Sequence, residues 1–311
     1  MKTLLVIDGN AIMHRAFHAL PPLNNSIGVP TNAIYGFFTM ISKVIADFHP
    51  EYLVICFDTP VPTFRKQMLI TYQIHRKKLP DEFKTQVPII QNLLDLAGIH
   101  RMELPSYEAD DVIGTVATRV ASETGLRTLI LTGDKDLMQL VTESVFVITP
   151  LTGVSSTRLY TPTDVQERFG VPPTLIPDLK ALMGDSSDNY KGAKGIGPKT
   201  AQKLLNQYHS VENMLEKVDT IKEERIRTLI SEHTESIILS KQLATILTTL
   251  DIPFNLEATR YNGFGENMRS KLRELELSTL LERLFHEKKQ NPAKEKEKKK
   301  PDLNPDQPEL F

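Results

Sequence analysis

Acidic residues in this chain keep appearing where a run of apolar, β-forming residues stops, and that pattern limits the folds open to it more than any other feature. Asp8 follows TLLVI in VIDGN, Asp58 follows EYLVICF, and Asp134 and Asp136 follow RTLILT in TGDKD. Glu108, Asp110 and Asp111 come together in YEADD, and Asp185 and Asp188 in GDSSD, which makes nine carboxylates in five segments. A carboxylate at the end of a buried strand adds nothing to a core. Several such ends gathered at one edge of a sheet make a hard, oxygen-lined site for divalent metal.

The segments TLLVI, EYLVICF, RTLILT and SVFVIT are short and rich in β-branched and aromatic residues, as buried strands are. Helical periodicity fills the gaps between them. It runs over 32–48, and over 80–97, where the stretch opens on Pro-Asp-Glu and stops before Gly98. Strand alternating with helix predicts an α/β fold, a central and mostly parallel sheet flanked by helices. Ligands of such sheets sit at the carboxyl edge, where the acids would lie. From Thr161 the strand signal fades, and 164–169, 174–183, 200–208, 211–218, 222–247 and 267–285 read as helices. The expected organisation is therefore an α/β core over 1–160, a helical half over 161–285, and a disordered, charged tail over 286–311.

Composition excludes several classes. The single cysteine, Cys56, sits in an apolar run and cannot form an intrachain disulfide, which suits a reducing compartment. The opening MKTLLVID is too short and too soon interrupted for a signal peptide, and no apolar run is long enough to span a bilayer. A cytoplasmic protein is expected. A net charge of −2 does not announce a nucleic-acid binder, but bound cations would neutralise bunched acids locally.

Each acidic segment taken alone has a structural reading as a turn starter, a helix cap or a partner of a helix dipole. That explanation weakens when five separate segments place acids at the same kind of corner. Glu108 and Asp111 are three residues apart, as are Asp185 and Asp188, and three apart on a helix is one face. Carboxylates so crowded repel unless cations sit among them. Oxygen donors without His or Cys favour Mg²⁺ or Mn²⁺ over zinc, and paired ions of that kind serve in-line phosphoryl displacement. The substrate class is a phosphate ester. His14 and His18, four apart, imitate a zinc pair but have no third ligand at suitable spacing.

Two basic segments fit that substrate. GDSSDNYKGAKGIGPKTAQKLL carries Gly192, Gly195 and Gly197 with Lys194, Lys199 and Thr200 opening a helix. A Gly-Ile-Gly turn lets backbone N–H groups approach a phosphate, and it lacks the spacing of a Walker A loop. Such a turn grips backbone rather than bases. TPVPTFRKQMLITYQIHRKKLP carries Arg65, Lys66, Arg76, Lys77 and Lys78 with Phe64 and Tyr72 interleaved, a pattern for holding phosphates and stacking on unpaired bases as a cover over the site. Its other reading is an exposed helix with solvated charges.

At these residues the chain resembles the 5′ nuclease domain of bacterial DNA polymerase I, within the flap endonuclease family. The stretches that carry the resemblance are IDGN with RAF, FDTPVPTFR, YEADDVIG, LTGDKDLMQL, LMGDSSDN and GIGPKTA, and it extends from residue 1 to about 285. The resemblance implies a helical arch at about 60–90 and a helix-hairpin-helix at about 185–208. It implies a metal-dependent 5′-3′ exonuclease and structure-specific flap endonuclease acting on DNA and RNA–DNA 5′ ends in replication and repair, with 5′-phosphorylated products. A monomer in the bacterial cytoplasm, associated with the nucleoid, is expected. Mg²⁺ or Mn²⁺ is the implied cofactor, with K⁺ at the hairpin. All nine acids match metal-site residues of the family: Asp8, Asp58, Glu108, Asp110, Asp134 and Asp136 as the tighter group, and Asp111, Asp185 and Asp188 completing the site or the shell of residues behind it. Arg76 and Tyr72 are the implied catalytic residues that position the scissile phosphate. Arg15, Phe64, Arg65, Lys194, Gly195, Gly197, Lys199 and Thr200 are the implied DNA-binding set. A stand-alone nuclease is expected, because no polymerase or proofreading segment follows.

The chain departs from the family pattern in two places. The arch reads Tyr72-Gln73-Ile74-His75-Arg76 where the family has Tyr-Lys-x-x-Arg, and Tyr190-Lys191-Gly192 stands where it has Ile-Pro-Gly. An amide at position 73 brings no charge to the phosphate, which raises an alternative reading: a branched-DNA binding module with weakened catalysis, unless Lys66 or Lys77 substitutes. A small RNase of the PIN-like type is a third reading, disfavoured by the glycine hairpin. The last five residues, Gln307-Pro308-Glu309-Leu310-Phe311, resemble the bacterial sliding-clamp-binding pentapeptide, with Gln307, Leu310 and Phe311 as the partner-binding residues. The other reading is a frayed terminus. A linker of about twenty residues has a typical reach near ~25 Å.

Overall fold

The computed structural model describes residues 1–285 apart from 77, 122, 124, 152 and 155; Lys77 and the clamp-like residues Gln307, Leu310 and Phe311 lie outside the described residues. The chain runs β1 (Lys2–Asp8), α1 (Gly9–Ala19), α2 (Asn32–Phe48), β2 (Tyr52–Cys56), α3 (Phe64–Met68), α4 (Asp81–Leu96), β3 (His100–Met102), α5 (Ala109–Ala121), β4 (Leu126–Leu131), β5 (Val145–Pro150) and β6 (Thr157–Tyr160). Helices then take over: α6 (Pro162–Phe169), α7 (Ile176–Met183), α8 (Pro198–Tyr208), α9 (Val211–Glu216), α10 (Glu224–Glu232), α11 (Thr234–Ala244), α12 (Asn267–Glu274) and α13 (Ser278–Phe285).

The sheet has the order β3-β2-β1-β4-β5-β6, with β6 antiparallel to β5 and every other pair parallel. The order reverses between β1 and β4. At such a switch point the connections leave in opposite directions and a crevice opens beyond the strands' carboxyl ends. The four strands read from the sequence are β1, β2, β4 and β5. Missing from that reading were β3, three residues long, and β6, an edge strand whose middle residues Arg158 and Leu159 are exposed. Neither has the length or the apolar run that marks a buried strand.

Alternation along the strands builds two cores. Leu4, Val6, Tyr52, Val54 and Cys56 face one side, with α5 and much of the helical half. Leu5, Ile7, Leu53 and Ile55 face the other, with α1, α2 and α4. Burial drives the Cys56 thiol well above its usual range, so it behaves as a small hydrophobe. Met268, Leu272, Leu280 and Leu284 of α12 and α13 return to this second core, so the end of the helical half covers the α/β sheet. The stretch read as one helix over 222–247 divides at His233 into α10 and α11.

Candidate active site

Secondary structure delivers the acids to the crevice. Asp8 ends β1 and caps α1: its Oδ1 accepts from the Ala11 N–H at 2.9 Å and its Oδ2 from the Thr132 hydroxyl at 2.7 Å. Thr132, just beyond β4, also accepts from the Asp134 N–H at 2.9 Å, and Asp134 Oδ1 accepts from the Asp136 N–H at 2.8 Å. Past β2, Asp58 Oδ1 receives the Ala109 N–H at the start of α5 at 2.8 Å, and the Asp58 N–H donates to Asn10 Oδ1 at 3.0 Å. The capping roles and the clustering are therefore the same fact. The acids that start helices and turns do so around one cavity of about 970 Å³, lined by Asp8, Asp58, Glu108, Asp110, Asp134, Asp136 and Asp188.

That crowding is written in the proton affinities. Burial, together with the charges of Asp58 and Asp134, pushes Asp8 up to about 7 against the pull of its two donors. Glu108 is pushed up to about 7 by burial, with Asp111, Asp58 and Asp188 adding to it and Arg65 opposing. Asp136 rises to about 7 through burial and Asp134, despite Lys180. Asp58 and Asp110 are raised as well, burial being the largest cause in both.

Asp185 lies outside this cavity lining but joins the same centre from below. Ligand oxygens of Asp136, Asp185 and Asp188 all fall within 4.8 Å of one another. Lys180 of α7 stands in for a cation there: its Nζ bonds Asp136 Oδ1, and it is 2.6 Å from Asp185 Oδ2. Burial works against the charge on Asp185, yet Lys180 and the donors of Ser187 hold its carboxyl below the usual range. A trio of carboxylates that already organises around an ammonium is a donor set suited to a hard divalent ion. The loop carrying Asp185 and Asp188 is pinned at its ends by Gly184 (φ 74°) and Gly192 (φ 58°). A Cβ on Gly192 would come within 2.4 Å of the Gly184 nitrogen, so only glycine lets the two strands of the loop touch.

Above the cavity the cover is built from α3, a run of turns and the start of α4. Tyr72 is buried and its hydroxyl lies 3.4 Å from Glu108 Oε2; Arg76 is exposed and lines the cavity with Lys66, Lys78, His14 and His18. Gln73 takes a left-handed turn (φ 55°) and donates its backbone N–H to the Asp188 carbonyl at 2.9 Å. Its backbone, with the Asn189 side-chain amide donating to the Thr71 carbonyl at 2.8 Å, thus holds the cover to the metal-type loop.

Two expected site residues, Arg65 and Arg15, are placed differently. Asp111, expected in the site or behind it, is fully buried behind the cavity lining, where Arg65 bonds both of its oxygens and the Glu108 N–H donates to Oδ2 at 3.2 Å. Arg65, expected on DNA, is 2 % exposed for the same reason, and stacks at 4.6 Å over the ring of Phe64, which also meets Tyr107. Arg15 turns away from the cavity and donates to the Leu151 carbonyl. At the hairpin, Lys194, Gly195, Gly197 and Lys199 are exposed, and nothing lies within 4 Å of where a Cβ on Gly197 would stand. Thr200, in the first turn of α8, is half-buried. Sequence reading missed Lys180, Asn10 and Thr132. The signal for Lys180 was present: a lone lysine in the apolar helix IPDLKALM, five residues before Asp185.

Comparison with known proteins agrees with this geometry. A family model for the 5′-3′ exonuclease N-terminal resolvase-like domain matches residues 3–170, and one for the 5′-3′ exonuclease C-terminal SAM fold matches residues 171–267. The 5′-3′ exonuclease of Aquifex aeolicus (strain VF5) is 43% identical over 282 residues, 90% of this chain and 94% of that protein. DNA polymerase I of Bacillus subtilis (strain 168) is 42% identical over 284 residues, 91% of this chain but 32% of that protein, so the chain spans about a third of the polymerase's length. The fold is shared with the flap endonuclease of bacteriophage T5 solved with DNA and metal ions, at a TM-score of 0.67 and 17% identity, over 78% of this chain and 89% of that one. A switch-point cavity ringed by carboxylates under a basic cover is the apparatus of a phosphodiester-cleaving nuclease. The chain belongs to the 5′-3′ exonuclease family. The reading as a binding module with weakened catalysis finds no support: the cavity acids are intact and converge.

Proposed function

We propose that this nuclease removes nucleotides from 5′ ends and cuts 5′ flaps in DNA and RNA–DNA, with Mg²⁺ or Mn²⁺ held by two groups of its acids. The observation that carries the reading is the convergence of Asp8, Asp58, Asp110, Asp134, Asp136 and Asp188 on one cavity, with Asp185 reaching the same centre through Lys180. Asp136, Asp185 and Asp188 would hold one ion, and Asp8, Asp58, Asp110 and Asp134 another. Bound divalent ions supply charge neutralisation and Lewis acidity to the scissile phosphate.

The chain's own residues do the rest. Thr132, Asn10 and the α5 N-terminus fix the carboxylates in place through the hydrogen bonds described above, so little reorganisation is needed when charge develops. Tyr72 walls the cavity and Arg76 faces its acids from the cover, placed to hold a phosphate that the acids alone would repel. His14 and His18, with ring centroids 4.5 Å apart, line the α1 side. Unpairing the terminal nucleotides to bring the bond this deep costs a few kcal/mol. The open hairpin face of Lys194, Gly195, Gly197 and Lys199 would track the duplex backbone without regard to sequence, with K⁺ as its ion. The protein would act as a monomer in the bacterial cytoplasm, and its last five residues would tether it to a sliding clamp.

A 5′-flap substrate incubated with Mg²⁺ or Mn²⁺ tests the core of this reading. The wild type should release 5′-phosphorylated fragments, and Asp134→Ala should lower the rate by roughly 10³-fold, about 4 kcal/mol of barrier. Binding without turnover by the wild type in either ion would overturn it.

A further inference from the structure

Tyr190 opens the second departure from the family pattern, standing where that pattern has the Ile of Ile-Pro-Gly, and its surroundings give it a task. It closes the turn that begins at Asp185: the Asp185 N–H donates to the Tyr190 carbonyl at 2.8 Å and the Tyr190 N–H returns to the Asp185 carbonyl at 3.1 Å. The residue is 5% exposed and packs with Tyr72, Leu243 and Ala244. Its hydroxyl oxygen is sealed from solvent and has no hydrogen-bond partner. Burying an unpaired hydroxyl costs free energy that a phenylalanine would not incur, and such orphans in native proteins commonly mark an ion, a water or a functional partner.

The charges that act on that hydroxyl are those of Lys180, Asp136, Asp185 and Asp188. In the ion-free arrangement Lys180, whose side chain is 18% exposed, divides its ammonium between Asp136 and Asp185. Those two carboxylates are also two of the three oxygen donors of the metal-type group. Lys180 therefore competes for the oxygens a divalent ion would need. When it yields them, a mostly buried ammonium requires another acceptor, since an uncompensated buried charge is costly. The Tyr190 hydroxyl, a buried oxygen without a partner whose electrostatic influence reaches Lys180, is such an acceptor.

We propose that Tyr190 is a positioning residue for the Asp136–Asp185–Asp188 ion site: its hydroxyl accepts the Lys180 ammonium when the carboxylates turn to a divalent ion. The ammonium then stays beside the centre instead of among its ligands. This rests on the reading of the centre as an ion-binding nuclease site, and it gives the orphaned hydroxyl its partner.

The test is Mn²⁺ binding to the full chain without nucleic acid, followed by the electron paramagnetic resonance of free Mn²⁺. Four proteins are compared: wild type, Tyr190→Phe, Lys180→Met and the double variant. Tyr190→Phe should bind Mn²⁺ about tenfold more weakly, while its ion-free melting temperature stays the same or rises. In the Lys180→Met background the same substitution should change Mn²⁺ affinity by less than about twofold, because the group it serves is gone. Wild-type affinity in Tyr190→Phe, an equal loss in both backgrounds, or a lowered ion-free melting temperature that accounts for the loss would each overturn the proposal. An Asp185→Asn control separates the two levels of inference. If the wild type binds no Mn²⁺, or Asp185→Asn binds it as well as the wild type, the ion-site reading itself fails and takes this proposal with it.

Discussion

Arg65 clasps Asp111 through two parallel hydrogen bonds, 2.6 Å from Nη1 to Oδ2 and 2.8 Å from Nη2 to Oδ1, and neither side chain reaches solvent. The remaining capacity of both groups is also spent. Arg65 Nε donates to the Leu243 carbonyl and Nη2 to the Thr245 carbonyl, each at 2.9 Å, and Asp111 Oδ1 accepts the Leu247 N–H at 2.9 Å. One ion pair thus joins the root of the cover, the acid-bearing helix α5 and the end of α11. Burial alone would release the Arg65 proton more easily, but Asp111 and Glu108 hold it on, so Arg65 keeps its charge.

Removing one partner should therefore be felt in stability before chemistry. Arg65→Met leaves Asp111 charged and uncompensated in the core, a loss of about 3–5 kcal/mol. The double variant Arg65→Met/Asp111→Leu should recover most of that loss. Urea denaturation of the three proteins checks it, and a single variant as stable as the wild type would refute it.

The raised carboxyls make ion-free stability fall as pH rises. Asp8, Glu108 and Asp136 titrate near about 7 in the folded chain, all chiefly through burial, against about 4 in an unfolded one. Between those values the folded state binds more protons than the unfolded, so folding is favoured at the acid end of the window and weakened as pH climbs through about 7. The protein in a chelator should melt several degrees lower at pH 8 than at pH 5. Adding Mg²⁺ should recover the loss at pH 8 and do little at pH 5, where protons already occupy the carboxylates. Thermal melts at the two pH values, with and without the ion, give the answer.

Much of this architecture could be read from residues alone, and the exceptions share a cause. The strand-then-acid pattern located β1, β2 and β4 and the acids at their ends because burial on both faces demands continuous apolar runs, which are visible locally. Arg65 was read as a DNA contact because whether a charge is left free for a ligand or is taken by an ion pair depends on a residue 46 positions away in the chain. Lys180 went unnoticed for the same reason: a lysine in a helix is ordinarily a solvated charge, and only the packing of α7 under the Asp185 loop turns it inward. Tyr190 was visible as a departure, but a sequence does not show that a hydroxyl lacks a partner.

Deleting residues 307–311 tests the tail separately from the nuclease. If Gln307, Leu310 and Phe311 fill a clamp pocket, the truncated protein should lose retention on an immobilised sliding clamp while cutting free flaps at the wild-type rate. Retention unchanged by the deletion would dismiss the tether.

The hairpin should behave as a backbone reader. Lys194 and Lys199 are exposed and, among the described residues, neither is paired with a carboxylate, whereas Lys203 is held by Glu223 at 2.6 Å. Lysines left free beside an uncovered Gly-Ile-Gly turn are available to phosphates, and each phosphate contact on duplex DNA contributes about 0.9 to the slope of log K against log salt. Lys194→Ala/Lys199→Ala should flatten that slope by nearly two and weaken binding equally for flaps of unrelated sequence. Lys203→Ala, removing a lysine already committed to a carboxylate, should shift the slope far less. The cavity acids are untouched by all three changes, so turnover at saturating substrate should stay near wild type while KM rises. A changed sequence preference, or a lowered turnover at saturation, would mean that the hairpin does more than hold the backbone.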